Sequence, residues 1–501
     1  MTRKQLQNQE PRLSRRSILR QVGTTPLILS GMISLGGLAV PRSAYASIGS
    51  RSDQAADLAT TIQAIIDRPQ FQGSHWGMNF RRFGAAQPLY ALNSDQLFVA
   101  ASTAKIFTAG TAFSTLGSEY RFHTRVYRTG PVRDGVLEGD LVLMASGDLL
   151  ISNRIRPDGT LDLPIPDHSY NLPNTMPVLG DPLALIRNLA RKAAAHGIRS
   201  IRGRVLVDAS LFHQAQEAIG VPGIGPVTIS PMMINDNIID VLVTPGSSAG
   251  APGVLQVSPQ TGYLQIENQV TTVHADASPV RPLGFVNDVT NPDGTHAVTL
   301  VGDIPLSIPH LYCAYYIPDP VRFAELAFAE ALKVECGDTS PDLSTGANPM
   351  AAAPHGTARG LLAEHVSPPL REAVKVMLKT SSNLHTVMWI YDLGAIAGHN
   401  STDPKTTYAG LLSELFASAG LSSSPGSTTG EYSPDFFVEF LSHMVRQPYF
   451  PSYHDALSIM GKDGSLVGVQ VQSPAAGHVF AKTGTGLGSS ATGPLLEAGL
   501  V

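Results

Sequence analysis

The sequence predicts an α+β protein in which a helix-rich part is split by a long, mainly β insertion. Two short strand-like runs lead into an apolar helix near residue 102. From about Glu119 to Pro309, strand-length runs alternate with glycine- and proline-rich turns, and from Leu370 onward the apolar residues return to helical spacing. A chain of 501 residues, 43% hydrophobic and 15% charged, is long enough for two or three globular domains. Its formal charge of −5 provides no basic field, which argues against a nucleic-acid partner. No His-Glu-x-x-His or Cys-x-x-Cys pattern is present, so neither a metal nor another cofactor is expected.

The N-terminus reads as an export signal over residues 1–46. Ser14-Arg15-Arg16-Ser17-Ile18-Leu19-Arg20 is a twin-arginine pattern, and a moderately apolar run from Val22 to Val40 follows it. Ala44-Tyr45-Ala46 then offers small residues for cleavage before Ser47. The mature chain is expected to work outside the cytoplasm, in a periplasmic or other extracytoplasmic space. No second apolar run approaches the length that crosses a bilayer, so no transmembrane segment is expected after signal removal. Cys313 and Cys336 make an even count that permits a structural disulfide in such a compartment, and spacing alone leaves the pairing open.

In the mature part, Asp53 to Ile66 carries Leu58, Ile62, Ile65 and Ile66 at helical spacing. Trp76–Phe83 and Pro88–Leu92 form an expected hairpin, and a helix is expected from about Ser102 to Leu116, stopped by Gly117. Within the insertion, Phe122–Val126, Val136–Met144, Val205–Val207, Ile238–Val243, Tyr263–Val270 and Ala297–Val301 read as strands. Asp181-Pro182 and Asp319-Pro320 each open a helical pattern, the first ending at Gly197 and the second near Cys336-Gly337. Further helices are expected over Leu370–Leu378, Ser382–Ala395, Tyr408–Ala419 and Asp435–Met444. The last clusters Phe436, Phe437, Phe440 and Leu441 on a face that reads as core.

Three short motifs carry the chemistry. Ser102-Thr103-Ala104-Lys105 puts a hydroxyl and an amine one helical turn apart on one face. A serine is a weak nucleophile without a base, and a lysine can be that base when burial or a second cation depresses its pKa. Ser381-Ser382-Asn383 follows a helical pattern, and Lys482-Thr483-Gly484 follows the strand-like run His478–Ala481. Each alone has a bland reading: a helix cap with a surface lysine, another cap, a turn. In this order they form the serine acyl-transferase set shared by penicillin-binding proteins and serine β-lactamases.

The chain resembles the class C low-molecular-mass penicillin-binding proteins, the peptidase S13-like family of D-Ala-D-Ala carboxypeptidases and endopeptidases. Beyond the three motifs, similar stretches are Leu116–Phe122, Ser146-Gly147-Asp148, Gly203–Ser210, His365–Leu370 and Gly461–Leu466. The long interval between Ser102 and Ser381 fits the family, which inserts accessory domains there. The resemblance implies a serine β-lactamase/transpeptidase-like domain, an antiparallel sheet with flanking helices. That domain would be formed by residues 47–118 and 310–501, and split by mainly β accessory domains over 119–309. It implies Ser102 as nucleophile, Lys105 as its base and Ser381 as proton relay. Asn383 would hold the substrate amide, Lys482, Thr483 and Gly484 would form the carboxylate-binding strand, and the N–H groups of Ser102 and Thr485 would form the oxyanion hole. Peptidoglycan stem peptides are the implied partners, and β-lactam antibiotics the implied inhibitors.

The chain also departs from the family. The family continues past its Lys-Thr-Gly with further strands and a closing helix, whereas Gly486–Ser490 is not strand-like. The catalytic portion is therefore expected to be shortened at its C-terminal end, with the motif strand short of a ladder partner. The family's Asp-Gly-Ser-Gly segment is replaced by Pro425–Gly430. A catalytically weakened or inactive cell-wall-binding homologue is the alternative, and a β-lactamase a further one. Ser169-Tyr170-Asn171 is a competing Ser-x-Asn in a proline-flanked loop, expected to lack a helix to position it.

Overall fold

The computed structural model describes residues 51–152, 154–156, 158–278, 280–336, 360–422, 430–490 and 493–500. The export signal expected over 1–46 and most of the Pro425–Gly430 segment lie outside the described residues. The chain divides into two units at Ile66. The first contributes the helix Arg51–Ile66, and every other element belongs to the second. No described helix is long and apolar enough to cross a membrane.

The helix-rich part is built around the helix Lys105–Leu116, whose residues from Lys105 to Phe113 are all buried. A helix without a polar face needs neighbours on every side. Leu370–Lys379, Asn383–Ile396, Pro404–Ser418, Pro434–Met444 and Phe450–Asp455 pack around the same core. The Phe107 ring lies at its centre, stacked on Phe437 at 5.1 Å and edge-on to Phe416, Phe436 and Phe440. Helix starts follow local chemistry: Ser382, Asp403 and Ser433 each accept a backbone N–H as N-caps, the last two followed by proline at the first helical position. The antiparallel strands of this part occur as short pairs, Met78–Phe80 with Tyr90–Leu92 and Phe98–Val99 with Glu431–Tyr432.

Among the described residues, the β-rich part contains four sheets of three or more strands, one of them made only of the two-residue strands Val132–Arg133, Val136–Leu137 and Ser200–Ile201. The four-stranded sheet runs Leu361–Val366, His123–Arg128, Leu141–Met144, Val205–Asp208, so a strand that follows residues 119–309 in the chain joins three strands from within them. Ile238–Thr244 lies between Val254–Ser258 and Leu311–Tyr316, and His296–Pro305 lies between Leu264–Val273 and Gly284–Thr290. The helices Ala184–Ala194 and Pro320–Cys336 cover a second core with Val126, Leu143, Val207 and Tyr315.

One expectation is corrected here, and one open question is answered. Thr483–Ser490 is a strand after all, paired antiparallel with Gly493–Leu500 from Thr483 opposite Leu500 to Ser490 opposite Gly493. Strand preference depends on cross-strand neighbours more than on the residues themselves, so a glycine-rich run reads as irregular until its partner is present. The motif strand therefore has a ladder partner. The permitted disulfide is not formed, and both thiols are free. Cys313 is enclosed with Val241, Val243 and Val270, whereas Cys336 packs against the separate core of the two covering helices. Burial pushes the Cys313 thiol up to about 12.

Asp392, on the helix Asn383–Ile396, is fully buried, and neither carboxyl oxygen has a hydrogen-bond partner among the described residues. It faces Gly147, where an added Cβ would lie 2.4 Å from Asp392 Oδ1. Burial, and then the charge of Asp148, hold its pKa well above the usual carboxylate range. A carboxyl raised in the folded state adds stability that is complete below its unfolded value near ~4 and is lost as pH rises through the folded value. Stability is thus expected to decline with rising pH, and Asp392→Asn, which cannot ionise, to flatten that decline. Urea unfolding of both proteins between pH 4 and 8 checks this; parallel curves would count against it.

Candidate active site

The chain reverses at Ala101, whose φ of 46° is left-handed, and enters a single 3₁₀ turn, Ala101–Ala104. Ser102 sits half-buried in this turn and Lys105 begins the following helix. Lys105 Nζ lies 2.6 Å from Ser102 Oγ, 2.5 Å from Asn383 Oδ1 and 3.5 Å from Ser381 Oγ. A neutral amine has two N–H groups and one lone pair. It can donate to Asn383 and Ser381 while its lone pair accepts the Ser102 proton.

Two buried amines face the same hydroxyl. Lys482 is fully buried, and its Nζ donates to Ser381 Oγ at 2.7 Å and to the Thr483 carbonyl at 2.7 Å. Burial pushes Lys482 down to about 7. Burial, and then the nearby Lys482 charge, hold Lys105 well below the usual lysine value. The two effects act in the same direction and favour the neutral form of the Lys105 amine.

The Lys-Thr-Gly strand is pressed against the nucleophile turn. A Cβ on Gly484 would lie 2.7 Å from the Ala100 carbonyl oxygen and 3.1 Å from the Thr103 nitrogen, so only glycine permits this approach. Thr483 Oγ1 meets Ser465 Oγ at 2.9 Å, and Thr485, two residues further along the strand, is exposed. Beneath the strand, Phe480–Ala481 pairs with Ser458–Ile459, and Lys379 Nζ donates to Asp463 at 2.7 Å and to the Leu457 carbonyl at 2.8 Å. The structure thus brings Ser102, Lys105, Ser381, Asn383, Lys482, Thr483 and Gly484 together, and Thr485 follows Gly484 on the same strand.

Sequence reasoning undervalued Ser169-Tyr170-Asn171. The segment does have a helix, the single 3₁₀ turn His168–Tyr170, and it lies against the site. Tyr170 OH donates to the Ser381 carbonyl at 2.6 Å and lies 3.3 Å from Asn383 Oδ1. Behind it is a buried charged cluster. Arg154 bridges Asp167 and Asp236, His168 bridges Asp236 and Asp240, and His385 reaches Asp236 at 3.0 Å. Burial opposes a charged His168, but Asp240 and Asp236 outweigh it and push the imidazole up to about 10. Asp167, His168 and Asp236 come within 4.8 Å of one another, a spacing that suits a metal ion, yet the Arg154 guanidinium already donates to both carboxylates and a charged His168 supplies the second positive charge. No local signal in the sequence announces this cluster, because its members come from segments distant in the chain.

A serine beside a proton-poor buried lysine, a Ser-x-Asn at a helix start and a Lys-Thr-Gly strand define a serine acyl-transfer enzyme of the penicillin-binding class. The fold agrees with that of penicillin-binding protein 4 (dacB) from Haemophilus influenzae, at a TM-score of 0.60 and 18% identity, covering 88% of this chain and 91% of that one. The same protein complexed with a β-lactam matches at a TM-score of 0.55 and 17% identity, over 81% of this chain and 85% of that one. In sequence, the chain is 25% identical over 465 residues to the D-alanyl-D-alanine carboxypeptidase of Actinomadura sp. (strain R39), covering 87% of this chain and 77% of that protein. The chain belongs to the D-Ala-D-Ala carboxypeptidase 3 (S13) family, which it matches over residues 58–491. It is accordingly a serine peptidase.

Gly484→Ala is expected to destabilise the protein by about 1–3 kcal/mol, because backbone rather than a flexible side chain opposes the new methyl. Urea unfolding measures this, and an unchanged midpoint would mean that the strand is not held against the Ser102 turn.

Proposed function

We propose that the protein removes the terminal D-Ala from peptidoglycan stem peptides through an acyl-enzyme on Ser102, with endopeptidase cleavage of cross-links as a related use of the same site. The observation that carries this reading is the 2.6 Å contact between Ser102 Oγ and a Lys105 amine held well below its usual pKa. Ser102 Oγ attacks the carbonyl carbon of the penultimate D-Ala as its proton passes to Lys105 Nζ. The C–N bond then breaks, and the proton reaches the leaving amine through Ser381, which lies between the two lysine amines. Water hydrolyses the resulting ester and regenerates Ser102.

Lys482 and Thr483 would bind the terminal carboxylate, Asn383 the substrate amide, and the N–H groups of Ser102 and Thr485 the developing oxyanion. A β-lactam offers a strained amide in place of the scissile bond and would acylate the same hydroxyl. The complex of the Haemophilus relative with a β-lactam supports this. The twin-arginine pattern supports export and action in the periplasm or an equivalent space, where stem peptides are found. Residues 47–118 and 310–501 would carry the reaction, with 119–309 as an accessory insertion.

Incubation with a fluorescent penicillin, read by intact mass, is expected to yield one adduct that disappears in Ser102→Ala. Release of D-Ala from a D-Ala-D-Ala peptide should fall in that variant by more than about a thousandfold. A folded protein that forms no adduct would support the binding-only alternative, and rapid nitrocefin turnover the β-lactamase one.

The pH dependence follows from the two amines. Lys105 must be neutral to accept a proton and Lys482 charged to bind a carboxylate. kcat/KM should therefore rise as Lys105 deprotonates and decline above about 7 as Lys482 does. Lys482→Arg keeps its charge at high pH, so the alkaline limb is expected to move upward in that variant. An alkaline limb that stays in place would assign it to another group.

A further inference from the structure

Ser381 has a φ of 62°, a left-handed conformation that is strained for an L-residue with a side chain. It also follows Thr380, the C-cap of the helix Leu370–Lys379, and precedes Ser382, the N-cap of the helix Asn383–Ile396. In this conformation Ser381 Oγ faces Lys105 and Lys482, while its carbonyl points the other way, toward the His168–Tyr170 turn. The 2.6 Å hydrogen bond from Tyr170 OH meets that carbonyl.

The tyrosine is itself firmly held. Asp167 Oδ1 accepts from the Ser169 N–H at 3.1 Å and from Ser169 Oγ at 2.5 Å, and Ser169 Oγ lies 3.4 Å from Ser382 Oγ. Tyr316 OH donates to the Ser169 carbonyl at 2.7 Å, and the Ala314 N–H donates to Asn171 Oδ1 at 2.8 Å, which fastens the turn to the strand Leu311–Tyr316. The turn is therefore tied to the β-rich part on one side and to the second motif on the other.

We propose that Tyr170 is a positioning residue for the acyl-transfer reaction, its hydroxyl fixing the Ser381 carbonyl and the Asn383 side chain so that Ser381 Oγ stays between the two lysine amines. Lys105 donates to Asn383 Oδ1 at 2.5 Å, and Tyr170, whose single proton is shared between the Ser381 carbonyl and this atom, lies 3.3 Å away, which fixes Oδ1 as the amide oxygen and directs Nδ2 to the Ile219 carbonyl at 2.8 Å. Burial, and then the charge of Asp167, raise the Tyr170 pKa, so the hydroxyl keeps its proton and remains a donor across the working range. Tyr170 touches no reacting atom. It acts by reducing the number of arrangements that Ser381 and Asn383 can adopt before Ser102 is acylated.

The inference rests on the acyl-enzyme reading above. Tyr170→Phe keeps the ring and removes the hydroxyl. Its kcat on a D-Ala-D-Ala peptide and its rate of acylation by a fluorescent penicillin are expected to fall roughly tenfold, the rate equivalent of one lost hydrogen bond, with KM unchanged. Tyr316→Phe removes a comparable hydrogen bond from the same turn without touching Ser381, and is expected to lower the melting temperature while leaving kcat as in the wild type. A Tyr170→Phe enzyme with wild-type kcat would overturn the inference, as would a raised KM with unchanged kcat, which would mean direct contact with substrate. An equal loss of kcat in both variants would also overturn it, since general loosening of the turn would then suffice. No adduct on the wild type, in a protein shown to be folded, would instead overturn the acyl-enzyme reading and this inference with it.

Discussion

The contact on which the rest of the site depends is the Lys105 amine against the Ser102 hydroxyl. A lysine placed inside a protein loses hydration that its charged form needs, so it either finds a counter-charge or gives up its proton. Among the described residues, no carboxylate is a hydrogen-bond or ion-pair partner of Lys105. Its neighbours are two serine hydroxyls, an amide oxygen and, behind Ser381, a second amine. This environment suits the neutral form, and the neutral form makes Ser102 reactive. The surrounding aromatic core, with Phe107 at its centre, keeps water away from the helix that carries the amine.

That arrangement requires three chain segments to meet within hydrogen-bond distance, and each is held by a different device. The Ser102 turn is fixed by its helix and by the Gly484 strand pressed against it. The Lys482 strand is fixed from below by the Lys379–Asp463 ion pair and by the serine hydroxyls Ser458 and Ser465. The Ser381–Asn383 segment is fixed from behind by Tyr170 and, through Ser382 and His385, by a cluster of buried charges. Such a cluster is costly to bury and tolerates little rearrangement once its partners are matched. The β-rich part thereby contributes to the site without supplying a reacting group.

Much of the architecture was legible in the residues. The helices Pro434–Met444 and Asn383–Ile396 were visible because apolar period and capping chemistry agree there. The hairpin of Met78–Phe80 with Tyr90–Leu92 was visible because alternation and turn residues agree. The strands Gly284–Thr290 and Val254–Ser258 were not foreseen, since both are exposed along much of their length and carry little apolar alternation. Thr483–Ser490 was misread for a related reason: its glycines are extended by a partner strand rather than by their own preference.

The sequence by itself determined the chemistry: a nucleophile, a base one turn away, and two further motifs in a recognisable order. These are set by residue type and short-range spacing, which the chain carries locally. The tertiary structure alone lowers the pKa of the Lys105 amine, because burial and the distance between Lys105 and Lys482 exist only after folding. It also decided that the two thiols lie in separate cores, and that a proline-flanked loop holding Tyr170 stands against the second motif. Each of these depends on contacts between residues far apart in the chain, and no local pattern records them.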